Sequence, residues 1–470
     1  MSDATKGKSL RQFAYLLAAR WLRDGAQAVF LLLLARHSVE TYGNIMLAMS
    51  LGQILLFCSE FGINQHFLLL LAGRHAAPSA VFRQITLLKA ALLLAGSLCM
   101  TIFCLWQGYS GQLLAIVLII GLSFGLDALV NSYYVVCQSL GRQDVEGSLR
   151  GASALLGYGA GIIVLFSGAG PIATALFKPL ESLSALAGSF KMLARSWRAA
   201  APSVWSSVWS TWADTMPFTL MALAAILYNK INIFFLQRFG GAQAIAQYSA
   251  TWQLVDGISV LASSLLLGNV LFPVFAKLWL KDEQAFARKA RAYATQLAAL
   301  ALPLVFVLAV GSELIINLLY GGQYTEAARV QPLLSLCVLF AFVHNLAYYL
   351  LLSMGRQKLV LGFFLAGLGV NALLCLLLMP GAPLDGAVWA IVATKGFVAL
   401  LTIGACQRFL GLLVLRPILL LLLAAAGAAA LTLAGQSFGF ARAGQLLGLG
   451  LLLLHLWHCY RANVHSEAPC

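Results

Sequence analysis

Charge is what this sequence has least of, and acidic charge above all. Only 10% of its 470 residues are charged, and 16 acids face 30 bases. Soluble domains carry about 25% charged residues, so a chain that is 61% hydrophobic has too little polar surface to fold in water. Long hydrophilic segments are absent too; the longest connections fall near 195–208 and 277–291. That excludes a soluble domain and argues against a membrane glycan polymerase or ligase, which would need a large external loop for its catalytic residues. No Walker A sequence occurs, which excludes ATP hydrolysis by that route. The nine cysteines form no CxxC, and Cys58, Cys99, Cys104, Cys137, Cys337, Cys375 and Cys406 sit in apolar stretches. They read as small hydrophobes rather than disulfides or metal ligands. No catalytic residue, metal site or cofactor is expected.

Apolar stretches, by contrast, recur from Phe13 to Tyr460, each near the roughly 20 residues that cross a bilayer. The basic start (Lys6, Lys8, Arg11) looks like a signal peptide, but Arg20, Arg23 and Asp24 interrupt the following run and no small-residue cleavage site follows. It reads as a retained first span. Glycine, proline and charge punctuation predict an all-α polytopic membrane protein of about fourteen transmembrane helices. The first six spans are 11–35, 42–72, 81–106, 112–140, 148–168 and 171–194. The next six are 213–237, 243–276, 289–319, 328–354, 358–379 and 385–406, and a final pair covers 417–435 and 444–460. With the N-terminus in the cytoplasm, twenty of the 30 bases, Arg150 among them, fall on the cytoplasmic side. Only Arg36, Arg238, Arg329 and Arg442 fall outside. This is the positive-inside distribution. It accounts for the net charge of +14 without nucleic acid and places both termini in the cytoplasm.

The chain also repeats itself. Leu140-Gly141-Arg142-Gln143 matches Met354-Gly355-Arg356-Gln357, and Ile172-Ala173-Thr174 resembles Val392-Ala393-Thr394. Arg36 with Tyr42-Gly43 parallels Arg238 with Tyr248-Ser249. Six spans separate the members of each pair, so the halves run parallel. The expected domains are a six-helix lobe at 1–197, a second at 198–410, and two further helices with a short tail at 411–470. Parallel repeats of this kind place a substrate site between the halves, near the midplane.

Charged side chains at membrane depth are costly and default to function. Arg20, Arg23, Asp24 and Gln27 form one helical stripe in span 1. Gln53, Glu60 and Asn64 share a face of span 2, and Asp127, Asn131, Tyr134 and Gln138 a face of span 4. Thr174, Lys178 and Glu181 line span 6, and Lys89 lies in span 3. The second half is sparser, with Lys230, Asp256 and Lys395, the last nearly repeat-equivalent to Lys178. Such groups either lock the bundle by pairing or line a hydrated cavity. Gly157-Tyr158-Gly159-Ala160-Gly161 lies inside a span with no Lys-Ser/Thr after it, so it reads as close helix packing. His455, His458 and Cys459 read as interfacial.

Tyr42-Gly43, Phe61-Gly62-Ile63, Leu319-Tyr320-Gly321-Gly322-Gln323-Tyr324-Thr325-Glu326-Ala327-Ala328, Asn371 and Asp385-Gly386-Ala387-Val388-Trp389-Ala390 carry a resemblance. Together they resemble the polysaccharide-transporter branch of the multidrug/oligosaccharidyl-lipid/polysaccharide (MOP) superfamily, from span 1 to span 12. The resemblance implies two six-helix, MATE-like lobes and Wzx-type flipping of undecaprenyl-pyrophosphate-linked oligosaccharide across a bacterial inner membrane by alternating access. It also implies bases in span 1 of the kind related lipid II flippases carry, which map onto Arg20 and Arg23. Expected substrate residues are Arg20, Arg23 and Lys178, then Lys89, Lys230 and Lys395; expected coupling acids are Asp24, Asp127, Glu181 and Asp256. Expected partners are the lipid-linked oligosaccharide, membrane lipids, a glycan polymerase and other polysaccharide assembly proteins. The alternative transporter is a cation-coupled multidrug exporter, which would need an acid-dominated site.

Overall fold

The computed structural model describes residues 3–64, 78–198, 205–261, 267–268 and 271–467. Within these, side chains at 3–14, 78–81, 191–198, 205–215, 217–218, 261 and 462–467 are left undescribed. The described residues are helical with short turns between. In chain order the helices are α1 (Asp3–His37), α2 (Val39–Glu60), α3 (Pro78–Trp106), α4 (Gly111–Ser139), α5 (Gln143–Ser167), α6 (Pro171–Ala175), α7 (Phe177–Arg198) and α8 (Trp205–Leu261). There follow α9 (Phe272–Trp279), α10 (Glu283–Val310), α11 (Ser312–Tyr320), α12 (Thr325–Ser353), α13 (Gln357–Leu378), α14 (Pro383–Leu410), α15 (Leu415–Ser437) and α16 (Ala441–Glu467).

Ten of these helices are long and apolar enough to cross a membrane by length and composition. One of the ten, α8, is interrupted at Gly241 (φ 66°, ψ −167°) and covers two expected spans. The helices α1, α7 and α16 fill three more expected positions. Large apolar side chains such as Leu94, Ile163, Leu314 and Leu400 are exposed along the helices, which only a hydrocarbon solvent tolerates on this scale. The chain is an all-α polytopic membrane protein.

Contacts divide it into two compact units, Met1–Ala246 and Gln247–Cys470. In the first, α1 packs on α5, α2 on α4, and α7 on both α4 and α5. Glycines allow this closeness. A Cβ at Gly157 would lie 2.7 Å from both the Phe177 carbonyl and the Glu181 Cβ, and one at Gly161 would lie 2.7 Å from the Phe177 Cβ. The glycine run in α5 is therefore a packing face against α7. Gly43 presses on the Ala242 carbonyl, which gives the Tyr42-Gly43 pair its structural reason.

In the second unit α12 and α13 pack on α14, and α10 packs on α12 and α16. The pair α15–α16 touches backbone to backbone where Gly435 meets Gly444. The segment around Tyr324 is held as a corner. Gln247 donates to the Gln323 carbonyl (2.9 Å) and accepts from the Ala327 amide (3.0 Å). Arg329 grips Asp385 through two bonds of 2.9 Å and also holds Glu326. Two of the resemblance segments, 319–328 and 385–390, thus meet at one structural joint.

The repeat is visible in the backbone. At the end of α4, Gly141 (φ 65°) turns the chain, with the Gly141 amide donating to the Gln138 carbonyl and the Arg142 amide to the Cys137 carbonyl. At the end of α12, Gly355 (φ 71°) does the same, with donations to Leu352 and Leu351. Positive φ is what glycine supplies at a helix end.

Four expected spans differ from single rods; span 8 is the end of α8 and the separate helix α9, with 262–266 outside the described residues. Span 2 is one helix only to Glu60; Phe61 (φ 35°) and Gly62 (φ 72°) then turn left-handed, and 65–72 lies outside the described residues. Gly62 sits against Thr219, leaving no room for a side chain. Span 9 is α10 and α11, divided at Gly311, and span 6 is α6 and α7. Hydropathy measures apolar length and is blind to such turns.

Candidate functional site

The expected site residues are distributed between the two units. In the first unit, four of them form one chain of ion pairs. Arg23 on α1 donates through Nε to Glu181 Oε1 on α7 at 2.7 Å. Lys178, one turn before Glu181, donates to Glu181 Oε2 at 2.7 Å and to Asp127 Oδ2 on α4 at 2.6 Å. Three helices are tied together at membrane depth. Lys178 also lies over the Phe124 ring, 4.5 Å from its centroid.

Exposure along this chain is graded. The side chains of Lys178 and Glu181 are 1% and 4% exposed, whereas Asp127 is 16% and Arg23 28% exposed. The buried acids and base satisfy one another, as buried charges must. Arg23 is the end that other molecules can reach. Arg20 and Asp24 lie beside it on the exposed flank of α1 and make no hydrogen bond or ion pair among the described residues. The stripe read from the sequence is therefore split: Arg23 and Gln27, which accepts from the Tyr158 hydroxyl at 3.0 Å, turn inward.

Lys89 is fully buried and donates to Asn64 Oδ1 (2.6 Å) and the Ala128 carbonyl (2.8 Å). Glu60 accepts from Asn131 at 2.7 Å. These bonds flank the left-handed turn of Phe61 and Gly62, so the end of α2 is pinned on both sides. Lys230 is half-buried on α8.

In the second unit Lys395 lies 5.6 Å from the Trp252 ring centroid, and Trp252 stacks on Tyr248. Asp256 follows Trp252 by one turn and is half-buried. Nearby, His344 Nδ1 meets the Thr402 hydroxyl at 3.1 Å.

Sequence reasoning missed Arg150 and Glu146. Arg150, counted among the cytoplasmic bases at the start of expected span 5, lies inside α5 and faces the bundle. Its Nε donates to the fully buried Glu146 at 3.0 Å, and its guanidinium lies 4.1 Å from the Tyr134 ring centroid. Glu146 also accepts from Gln138. The i,i+4 spacing of Glu146 and Arg150 was the available signal. Arg150, Arg23, Asp127, Glu181, Tyr134 and Asn131 line one cavity of about 60 Å³, enough for several waters. Among the described residues, no group of three or more His, Cys, Asp or Glu is arranged to hold a metal ion.

The described residues form an all-helical polytopic bundle with charge paired inside its first unit. Over 96% of this chain and 99% of the other, it is similar to the lipid II flippase MurJ in an inward closed conformation (TM-score 0.69, 12% identity). An inward-facing MATE-family multidrug resistance transporter of the MOP superfamily matches 86% of this chain and 98% of its own (TM-score 0.62, 14% identity). Residues 33–329 match the family model described as polysaccharide biosynthesis protein, and the chain belongs to that family. The uncharacterized membrane protein MJ1068 of Methanocaldococcus jannaschii is 29% identical over 168 residues, 34% of this chain. That match spans about a third of the relative's length (32%). The expected helical membrane fold agrees with these solved structures, and the expected polysaccharide family with the matched model.

Proposed function

We propose that the protein flips an undecaprenyl-pyrophosphate-linked oligosaccharide, an O-antigen or exopolysaccharide repeat unit, across the bacterial inner membrane by alternating access. The observation that carries this reading is the graded ion-pair chain, whose accessible end is a guanidinium beside a second exposed base, Arg20. A pyrophosphate leaving water needs such groups, and guanidinium grips phosphate oxygens in a bidentate way. Arg20 and Arg23 are the gripping residues. Lys178 stands behind them and keeps Glu181 from claiming Arg23 outright; Lys89, Lys230 and Lys395 are the secondary bases. Asp24, Asp127, Glu181 and Asp256 are the coupling acids. The two parallel lobes are 1–197 and 198–410, followed by the helices of 411–470, and a glycan polymerase with other assembly proteins receives the cargo. The balance of bases and acids in the first unit supports an anionic cargo over the cationic drugs of a multidrug exporter.

The test is movement of lipid-linked sugar to the outer leaflet of reconstituted vesicles. Arg20→Ala and Arg23→Ala each lower it by roughly tenfold or more, at normal insertion levels, and Arg→Lys at either position retains part of the activity. Wild-type flipping in both alanine variants would reject this site.

Both termini face the cytoplasm in this proposal. Cysteines placed at the exposed positions Gln284 and Gln323, in a background without reactive native thiols, then label from opposite sides. Labelling of both from outside by an impermeant reagent defeats the topology.

A further inference from the structure

We infer that His455 and Cys459, on the last turns of α16, form a two-ligand site for a thiophilic d-block cation such as Zn2+. Cys459 Sγ lies 3.5 Å from His455 Nε2. In a tetrahedral zinc site the metal–nitrogen bond is about 2.0–2.1 Å and the metal–sulfur bond about 2.3 Å, so the nitrogen-to-sulfur edge is about 3.6 Å. The two atoms already stand at the separation that one shared ion requires. Their i, i+4 spacing sets it, because residues four apart on a helix lie one above the other on one face.

The bland counterpart is a weak S–H···N hydrogen bond. Other thiols show what cysteine does inside this bundle: the fully buried Cys375 and Cys406 meet oxygen, the Asn371 Oδ1 and the Ala347 carbonyl, each at 3.6 Å. Cys459 is half-buried and meets a ring nitrogen instead, a group that shares a metal with a thiolate. Among the described residues neither Cys459 nor His455 makes another hydrogen bond, so no oxygen competes for either.

The surroundings leave the pair open. Trp457, His458 and Tyr460 beside it are exposed, which gives an ion a way in. The nearby base is turned away. Arg461 lies over the Trp457 ring, 4.7 Å from its centroid, and these two residues come two positions after the pair, about 200° round the helix. His458 is about 100° round from Cys459, so the pair supplies two ligands and water completes the other two positions. On binding, Cys459 becomes a thiolate, its proton passes to solvent, and the imidazole binds neutral. Oxygen-seeking Mg2+ and Ca2+ do not fit this donor set. The site belongs to the second unit and does not rest on the flipping reading.

The test is metal titration of the purified full-length protein in nanodiscs, with an affinity tag free of histidine. Co2+ should bind one ion per chain with a near-ultraviolet sulfur-to-metal charge-transfer band, displaced by Zn2+ and untouched by excess Mg2+. Two ligands contribute about half the binding free energy of a four-ligand site, so the Zn2+ Kd should be roughly 1–200 µM. Cys459→Ser should abolish the band, and His455→Ala should weaken binding by at least the roughly 10- to 100-fold that an outer-shell partner contributes. Cys470→Ser, which removes the other thiol of the C-terminal end, should leave both unchanged. A band that is absent from the wild type, survives Cys459→Ser or vanishes in Cys470→Ser overturns the site. Should a variant fail to insert, the wild type alone decides: Zn2+ should slow alkylation of Cys459 by a maleimide, read by mass spectrometry of its peptide, and an unchanged rate overturns the site.

Discussion

The corners that follow the two matched turns are built on the same backbone and filled with opposite chemistry. Counting from Gly141 and Gly355, Tyr134 corresponds to Tyr348, Glu146 to Val360 and Arg150 to Phe364. In the first unit Arg150 sits over the Tyr134 ring at 4.1 Å and neutralises the buried Glu146. In the second, Phe364 stacks on Tyr348 with centroids 6.0 Å apart, and Val360 is fully buried in the place of the acid. The same helix–turn–helix geometry therefore needs no charge for stability. Where a charge stands at the equivalent place, something other than packing explains its presence.

The lysines make the same comparison on α7 and α14. Lys178 holds two carboxylates, whereas the position equivalent to Asp127 in the second unit is Ala341. Among the interactions of Lys395 is its contact with the Trp252 ring. Removing one member of a buried ion pair leaves its partner charged and desolvated, a loss of about 3–5 kcal/mol, while an aromatic contact contributes about 0.5–2 kcal/mol. Lys178→Ala should therefore lower the thermal unfolding midpoint in detergent far more than Lys395→Ala. Equal losses would break the contrast between the units, and it would return if Asp127→Asn with Glu181→Gln recovered much of the Lys178→Ala loss.

Much of this arrangement was legible beforehand. A run of apolar residues can only become a spanning helix, because lipid leaves the backbone no other way to satisfy its hydrogen bonds. The stripe of Asp127, Asn131 and Tyr134 is likewise real, since i, i+4, i+7 spacing is geometry. What stayed hidden depends on tertiary contact. Phe61 takes a left-handed conformation that no propensity assigns to phenylalanine, and Gly62 is needed there because Thr219, far away in sequence, lies against it. Arg150 reads as a cytoplasmic-side base because it stands at the very start of the expected span 148–168. Only the fold shows that Glu146 is fully buried and that Arg150 reaches the cavity also lined by Arg23. Nor could spacing say that Arg23 and Arg20, three residues apart, would face an ion pair and open surroundings respectively.

The smaller effect is the more informative one, because it exchanges one corner for the other. Arg150→Phe alone keeps an aromatic partner for Tyr134 but strands the Glu146 carboxylate, which would retain only its bonds from Gln138. A loss of about 3 kcal/mol follows from an uncompensated buried charge. Adding Glu146→Val removes that charge and reproduces the Tyr348, Val360 and Phe364 set of the second unit. Well-packed apolar replacements of buried ion pairs are neutral or stabilising as often as not, so the double variant should unfold within about 1 kcal/mol of wild type. Calorimetry of wild type, Arg150→Phe, Glu146→Val and the double variant closes the cycle. A double variant no more stable than Arg150→Phe would show that the two corners are not interchangeable and that the ion pair is required for packing. A double variant that is stable yet fails to move lipid-linked sugar would place the role of Arg150 in transport rather than in the fold, because the corner then stands without it.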